Sequence, residues 1–214
     1  MKRWSSMPQC INRPEILSSF ENLEKIRNSG VKCPLLCKKF VIDAWQIYYA
    51  RTKGADAILL IVAVLPDLDI KYMTKICKLL GLTPLVEVHD KREMDRVLGI
   101  DGIELIGINN RNLETFKVDI SNTKNLLQGE RGRIIRERGI IVVGESGLFT
   151  PADIAYVQEV GVKAVCYECF VGKLCTFSTS TIISHSLECM RRGRKSCKQA
   201  SILVVNNNYC GSPL

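Results

Sequence analysis

Two polar side chains interrupt apolar segments in places where they could do chemistry. Lys38 follows the apolar stretch PLLC, and Glu87 lies between two valines in LVEVHD. A carboxylate on a strand that we expect to be buried is either paired in a salt bridge or serves as a general acid or base, and both alternatives stay open. A lysine that faces it could protonate a carbonyl oxygen or stabilise a developing oxyanion.

Two more polar clusters follow apolar runs later in the chain. In IGINNRNLET, Asn109 and Arg111 come at the end of an apolar run, and an amide beside a guanidinium suits a phosphate or a carboxylate. In GESGL, Glu145, Ser146 and Gly147 precede a helix-start signal, TPAD. A small loop before a helix can bind phosphate through backbone N–H groups, although this pattern alone is a weak motif.

Alternating strands and helices are predicted to position these side chains. Strands are predicted over 34–40, 57–62, 84–88, 104–108 and 140–143, with the start of another at 163–165, and helices over 18–27, 44–52, 68–80, 91–98, 121–127 and 151–160. Such repeats predict a parallel sheet covered by helices, as a (β/α)8 barrel or a doubly wound sheet. The polar residues all fall near strand carboxyl ends, which a barrel gathers at one mouth, so the barrel is favoured.

Strand alternation applies to the two adjacent lysines in PLLCKKF. One of Lys38 and Lys39 must face the barrel interior and the other must face away from it. An inward lysine can act on substrate, whereas an outward one is a solvated charge. The sequence does not decide between the two orientations.

Composition excludes several classes of protein. The chain has 214 residues, of which 46% are hydrophobic and 24% charged, which is ordinary for one globular domain. The net charge of +8 comes largely from segments 131–138 and 191–198. No apolar run has the length of roughly 18 residues that a membrane span needs, so we expect no membrane association.

The histidines and cysteines give little support to a metal site or a Ser-His-Asp hydrolase. The chain has two histidines, His89 and His185, and neither is near a plausible nucleophile in sequence. Six of the ten cysteines lie after residue 165, and Cys166-x-x-Cys169 has no second C-x-x-C or His pair at ligand spacing. We therefore expect no metal.

The motifs PLLCKKF, QIYYARTKGADAILLI, LVEVHD, IGINNRNLET and VGESGLFTPADI together resemble indole-3-glycerol-phosphate synthase, particularly its plant form, over about 18–165. The resemblance implies a (β/α)8 TIM barrel, incomplete here because only strands 3 to 7 and the start of strand 8 are recognisable. It also implies that 1-(2-carboxyphenylamino)-1-deoxyribulose 5-phosphate is converted to indole-3-glycerol phosphate by ring closure, with loss of CO2 and water. No cofactor is implied.

The same resemblance assigns a role to each candidate residue. Lys38 matches the general acid that activates the substrate carbonyl, and Glu87 matches an acid/base carboxylate. The other implied catalytic residues are Asn109, Arg111 and Glu145, and the implied substrate-binding residues are Phe40, Leu59, Ser146 and Gly147.

The chain divides into an irregular segment 1–17, a partial barrel 18–165 and a divergent tail 166–214. It departs from the family pattern in three places. The E-x-K motif of the first strand is absent, Lys39 replaces an acidic residue, and the glycine-serine phosphate loop of the eighth strand is missing. A catalytically inactive fragment is therefore one alternative. A less favoured one is a nucleic-acid-binding module that uses the basic stretch MRRGRKSCK, and we expect no nucleic acid and a disordered tail.

The partner implied by the resemblance is a phosphorylated small molecule, and the oligomeric state stays open. Plant members of the family are plastid enzymes, so the chloroplast stroma is the implied location. No transit peptide is visible, and the alternative is the cytoplasm if the chain is complete.

Overall fold

The computed structural model describes residues 20–28, 30, 34–166, 200–202 and 204–205. In chain order the elements are α1 (Phe20–Asn28), β1 (Leu36–Cys37), α2 (Ala44–Thr52), β2 (Ala57–Ile61), α3 (Asp67–Leu79), β3 (Thr83–Val88), α4 (Lys91–Leu98), β4 (Leu105–Asn109), α5 (Ser121–Leu127), α6 (Gly129–Arg138), β5 (Ile141–Glu145), α7 (Pro151–Glu159), β6 (Ala164–Cys166), β7 (Ala200–Ile202) and β8 (Val204–Val205). Among these residues, no helix is long and apolar enough to cross a membrane.

Strands β1 to β6 form one parallel sheet in which each strand pairs with the next along the chain. With helices between them, they make an incomplete (β/α)8 barrel, as predicted. The tail adds β7 beside β6 and β8 beside β1, both in parallel register. The rest of 167–214 lies outside the described residues, so the prediction of a disordered tail stays a prediction.

The two faces of the sheet have different surroundings. Outward residues such as Val86, Ile106 and Val142 belong to a large apolar core between the sheet and the helices. A smaller inward cluster fills the barrel, and it consists of Leu36, Ala57, Leu59, Ile61, Leu85, Leu105, Val143, Ala164 and Cys166. The polar residues lie above this inner cluster, towards the carboxyl ends of the strands.

Side-chain caps fix where two of the helices begin after the strands. Asp90 accepts the N–H of Glu93 at the start of α4. Thr150 and Asp153 form a capping box at the start of α7, where Pro151 occupies the first turn. These caps satisfy backbone N–H groups that have no partner within the helix, so the chain turns sharply after each strand.

Three local features differ from the sequence prediction. Helix α6 was not predicted, because its few apolar residues are hidden among charges, and Arg133 forms ion pairs with Glu130 and Glu137 on its surface. Strand β1 is only two residues long. Strands β4 and β5 extend to Asn109 and Glu145, because these residues continue the ladder as partners of each other.

Candidate active site

Strand register brings three of the predicted polar residues to the inner face of the barrel. Glu87 is aligned with Ile61 on one side and Gly107 on the other. Asn109 is aligned with Glu145 one layer higher. Because inward positions recur every second residue, Glu87, Asn109 and Glu145 all point into the barrel above its apolar floor.

Lys38 also points inward, just beyond the end of β1. Its Nζ donates to Oε2 of Glu145 over 2.9 Å and lies 3.9 Å from Sγ of Cys166. Only 14% of the Lys38 side chain is exposed, and Glu145 is fully buried. Burial by itself lowers the pKa of Lys38, but the surrounding negative charges, with Glu145 the largest contributor and Glu87 another, together outweigh it and the net shift is upward. Lys38 is therefore protonated at neutral pH and can donate a proton.

Glu87 and Glu145 both lie near the positive charge of Lys38, but their pKa values shift in opposite directions. Burial raises the pKa of Glu87, but His89 and Lys38 outweigh that effect and lower it. Burial and the charge of Glu87 raise the pKa of Glu145 to about 7, despite its contact with Lys38. Two buried carboxylates beside one ammonium group cannot both ionise easily, and only Glu87 has a second cationic neighbour. Glu87 is therefore the carboxylate that is ionised at neutral pH, and Glu145 exchanges its proton near neutral pH.

Each of these carboxylates has one oxygen that accepts no hydrogen bond from the described residues. These atoms are Oε2 of Glu87 and Oε1 of Glu145, and both are buried. A buried carboxylate oxygen without a donor is unfavourable for stability alone. Such atoms are typical of sites where a ligand or a reacting group is bound.

Gly107 makes room for the Glu145 side chain. A Cβ at this position would lie 2.0 Å from Oε1 of Glu145 and 3.3 Å from Cδ1 of Leu85. The backbone of Gly107 has no positive φ, so the glycine is required for space and not for its conformation. The absent side chain on β4 therefore allows Glu145 to reach Lys38 across the interior.

Asn110 connects the ends of β4 and β5. Its Nδ2 donates to the carbonyl of Ser146 over 3.2 Å, and its Oδ1 accepts from Oγ1 of Thr123 at 2.8 Å. Its backbone N–H donates to the carbonyl of Glu145. Ser146 has φ of 60° and Gly147 has φ of 78°, so the loop is held in a left-handed turn directly after Glu145.

Asn109 and Arg111 lie at the mouth of the barrel. Oδ1 of Asn109 accepts the backbone N–H of Arg111 over 3.0 Å, which turns the chain at the end of β4. Arg111 then pairs with Val118 in an isolated antiparallel bridge. This bridge closes a short loop in which Arg111 is half-buried.

The remaining predicted residues lie on different sides of this cluster. Leu59 belongs to the inner apolar cluster, whereas Phe40, beyond the end of β1, is 39% exposed. Nζ of Lys39 lies 4.1 Å from the centre of the Phe20 ring. Lys39 therefore faces the helix side, which settles the orientation of the two lysines in favour of an inward Lys38.

Sequence reasoning missed His89 and Glu93. Nε2 of His89 lies 3.2 Å from Oε1 of Glu87, and Nδ1 lies 3.0 Å from Oε2 of Glu93. The first contact is close enough for an ion pair but lacks the alignment of a hydrogen bond. His89 lies two residues after Glu87 in the sequence, and this spacing could have identified it as a neighbour of Glu87. In the described part of the chain, no group of three His, Cys, Asp or Glu residues could hold a metal ion.

Comparison with known proteins relates this chain to one enzyme family. The sequence model described as indole-3-glycerol phosphate synthase matches residues 16–173. The chain is 77% identical over 146 residues to the chloroplastic indole-3-glycerol phosphate synthase of Arabidopsis thaliana, covering 68% of this chain and 36% of that protein. It is 59% identical over 147 residues to the Microcystis aeruginosa indole-3-glycerol phosphate synthase, covering 69% and 49%.

Among solved structures, a 3-hexulose-6-phosphate synthase is similar at a TM-score of 0.48 and 13% identity, over 69% of this chain and 70% of that one. The chain spans about a third to a half of the length of the two curated relatives. Most of the chain nevertheless matches one family, and the match includes every residue of the inner polar cluster. The chain belongs to the indole-3-glycerol phosphate synthase family.

Proposed function

We propose that this chain catalyses the indole-3-glycerol phosphate synthase reaction, a step of tryptophan biosynthesis. The substrate is 1-(2-carboxyphenylamino)-1-deoxyribulose 5-phosphate, and the products are indole-3-glycerol phosphate, CO2 and water. One observation carries the proposal: the buried Glu87 and Glu145 and the largely buried Lys38 lie together inside the barrel of a chain from this family. The steps below need only proton donors, proton acceptors and fixed charges.

Ring closure requires an acid beside the substrate ketone. The ring carbon that carries the carboxylate attacks the ketone carbon, and the ketone oxygen takes a proton from Lys38 as the new C–C bond forms. The bond between the ring and the carboxylate then breaks, which releases CO2 and restores the aromatic ring. The raised pKa of Lys38 keeps the proton in place until the developing oxyanion accepts it.

Dehydration requires a base on the opposite side of the substrate. The new hydroxyl group takes a proton from Lys38, which has regained one from Glu145, and leaves as water. Glu87 accepts a proton from the neighbouring CH2 carbon, and the second double bond of the five-membered ring forms. The lowered pKa of Glu87 supports this role, because the carboxylate is ionised at neutral pH. Glu145, with its pKa of about 7 and its 2.9 Å contact with Lys38, can return a proton to the lysine.

The other predicted residues would bind the substrate. Leu59 offers an apolar surface to the aromatic ring, and Phe40 lies at the exposed rim. Asn109 and Arg111 suit the carboxylate that departs, while Ser146 and Gly147 suit the phosphate through the backbone N–H groups of their turn. These assignments rest on the family pattern and on the placement of each residue near the mouth.

The test is turnover of the purified full chain, followed by the fluorescence of the indole product. We expect Lys38→Met to lower kcat/KM by a factor of about 100 or more, because the general acid is lost. Lys39→Met is the matched control, since Lys39 faces Phe20, and it should keep most of the activity. Absence of product at micromolar enzyme, or equal activity of the two variants, would contradict the proposal and favour an inactive member of the family.

We also propose a plastid location. The relative with 77% identity is named as chloroplastic, which supports the same compartment for this protein. Fractionation of cells that produce the protein checks the proposal, because the chain should co-purify with stromal marker enzymes. Recovery with cytosolic markers would contradict it.

A further inference from the structure

A line of three ionisable side chains, two of them buried and the middle one largely buried, connects the inner site to the outer helix layer. Glu87 lies near the end of β3, His89 follows the strand, and Glu93 is in the first turn of α4. The His89 side chain is 10% exposed. Its Nε2 is 3.2 Å from Oε1 of Glu87, and its Nδ1 is 3.0 Å from Oε2 of Glu93. The mechanism proposed above uses only the first of these three groups.

Two helices hold His89 in this position. Oε2 of Glu93 accepts the backbone N–H of His89 over 2.7 Å as well as contacting the ring. Glu93 is itself fixed, because its backbone N–H donates to Oδ1 of Asp90 at the start of α4. From α5, Nδ2 of Asn122 donates to the carbonyl of His89 over 3.0 Å. The ring is therefore anchored from α4 and its backbone from both helices.

The two carboxylates determine the protonation of the ring. Nδ1 must carry a hydrogen to donate to Glu93, and a neutral ring would then direct the lone pair of Nε2 at the carboxylate of Glu87. That contact is repulsive, whereas a hydrogen on both nitrogens makes both contacts attractive. Burial lowers the pKa of His89, but Glu87 and Glu93 outweigh it and raise the pKa to about 9. His89 is an imidazolium at neutral pH.

We infer that His89 is a positioning residue that keeps Glu87 ionised and directed into the barrel, while Glu93 anchors the imidazolium from the helix layer. Among the described residues, the charged groups that face His89 are Glu87 on β3 and Glu93 on α4. Its contact from α5, Asn122, is neutral. Beyond Glu87 lie Lys38 and Glu145, and the one positive charge of Lys38 acts on both carboxylates. His89 supplies the second positive charge, and this makes Glu87 and not Glu145 the base.

The consequence for activity rests on the proposed function. If Glu87 is the base, His89→Gln should raise its pKa and so move the acidic limb of the pH profile of kcat/KM to higher pH, by about one unit. The change should appear in kcat, with little change in KM, because His89 lies behind Glu87 and not at the substrate. Glu93→Gln keeps an acceptor for the backbone N–H and should give a smaller shift in the same direction.

A measurement without turnover tests the inference on its own. NMR titration of the histidine rings in the full chain should show one ring that stays protonated up to about pH 9, and this signal should disappear in His89→Gln. His185 gives the other ring signal and serves as an internal reference. The carboxyl carbon of Glu87, assigned with Glu87→Gln, should titrate at higher pH in His89→Gln than in wild type. A His89 ring that titrates near 6.5, or an unmoved Glu87 carboxyl, overturns the inference.

The dependence of stability on pH gives a third result. Because folding raises the pKa of His89 from 6.5 to about 9, its contribution is complete below pH 6.5 and is lost as the pH rises to about 9. Urea unfolding of the wild type should show this loss, and Glu93→Gln should show less of it. If titration and unfolding agree with these expectations but no product forms, the proposed function fails while the role of His89 in holding Glu87 ionised stands.

Discussion

Strands β3 to β5 present alternate residues to two faces, and the side chains on these faces have different surroundings. On the outer face, Val86, Ile106 and Val142 are buried among helix side chains in the apolar core. On the inner face, Glu87 and Glu145 are also buried, but they lie beside Lys38. Glu145 fills the space that a side chain at Gly107 would occupy. The outer face of these strands packs against apolar side chains, whereas the inner face carries charged side chains that are also buried.

This difference shows how one sheet can support both stability and a reactive site. Buried charges without full pairing are unfavourable, so the inner face alone would destabilise the fold. The outer core offsets that cost through close apolar packing, which leaves the inner positions free to hold groups with shifted pKa values. Substitutions in the outer core should therefore change mainly the stability, and substitutions of the inner charges should change mainly its pH dependence.

The largest effect on stability is expected on the outer face. Ile106→Ala removes a side chain that is completely buried in the core and leaves a cavity, so the free energy of unfolding should fall by about 2–5 kcal/mol. Urea unfolding measures the loss, and Ile106→Val, expected to cost about 0.5–1.5 kcal/mol, is the graded control. Equal losses for the two variants would show that the outer core is not closely packed.

The second effect concerns the buried charge on the inner face. Folding raises the pKa of Glu145 from 4.5 to about 7, so the folded state binds the proton more tightly and stability should fall as the pH rises through this window. The fall should be on the order of 3 kcal/mol and should be absent in Glu145→Gln. The check is the difference between the two unfolding curves from pH 4 to 8. Parallel curves would mean that Glu145 stays ionised beside Lys38.

A third, smaller effect should arise at Gly107. Gly107→Ala places a Cβ against Oε1 of Glu145, and we expect a loss of about 1–3 kcal/mol from overpacking. Shortening the acid with Glu145→Asp in the same chain should recover part of the loss, which a double-mutant cycle measures. Additive losses would show that the two residues do not compete for this space.

The smallest effect is expected on the solvent face of α6. Arg133→Ala removes ion pairs with Glu130 and Glu137, but all three side chains are largely exposed and screened by water. The midpoint of urea unfolding should not change measurably. A clear decrease would mean that the charged surface contributes to stability as the outer core does.

The sequence predicted the fold and the position of the polar cluster, because strand ends and polar interruptions can be read from local patterns. The strand pattern alone could not predict the inward direction of Lys38, since β1 is short and adjacent lysines give no alternation signal; only the family resemblance assigned Lys38 to the substrate side. Helix α6 was missed because its few buried apolar residues are spread among many charged ones and give no clear apolar periodicity. The role inferred for His89 depends on Glu93 and Asn122, which come from two different helices. Such tertiary contacts leave no trace in a local pattern.

The pairing order of the strands also determines how this chain can fold. Every pairing from β1 to β6 joins neighbouring strands, so each unit can dock on the previous one while the chain is being synthesised. The pairing of β8 with β1 is different, because it joins Leu36 to Val204 across nearly the whole chain. Contacts of such sequence separation form slowly. The β1 edge of the sheet therefore stays unpaired by β8 until residues 204–205 have been synthesised.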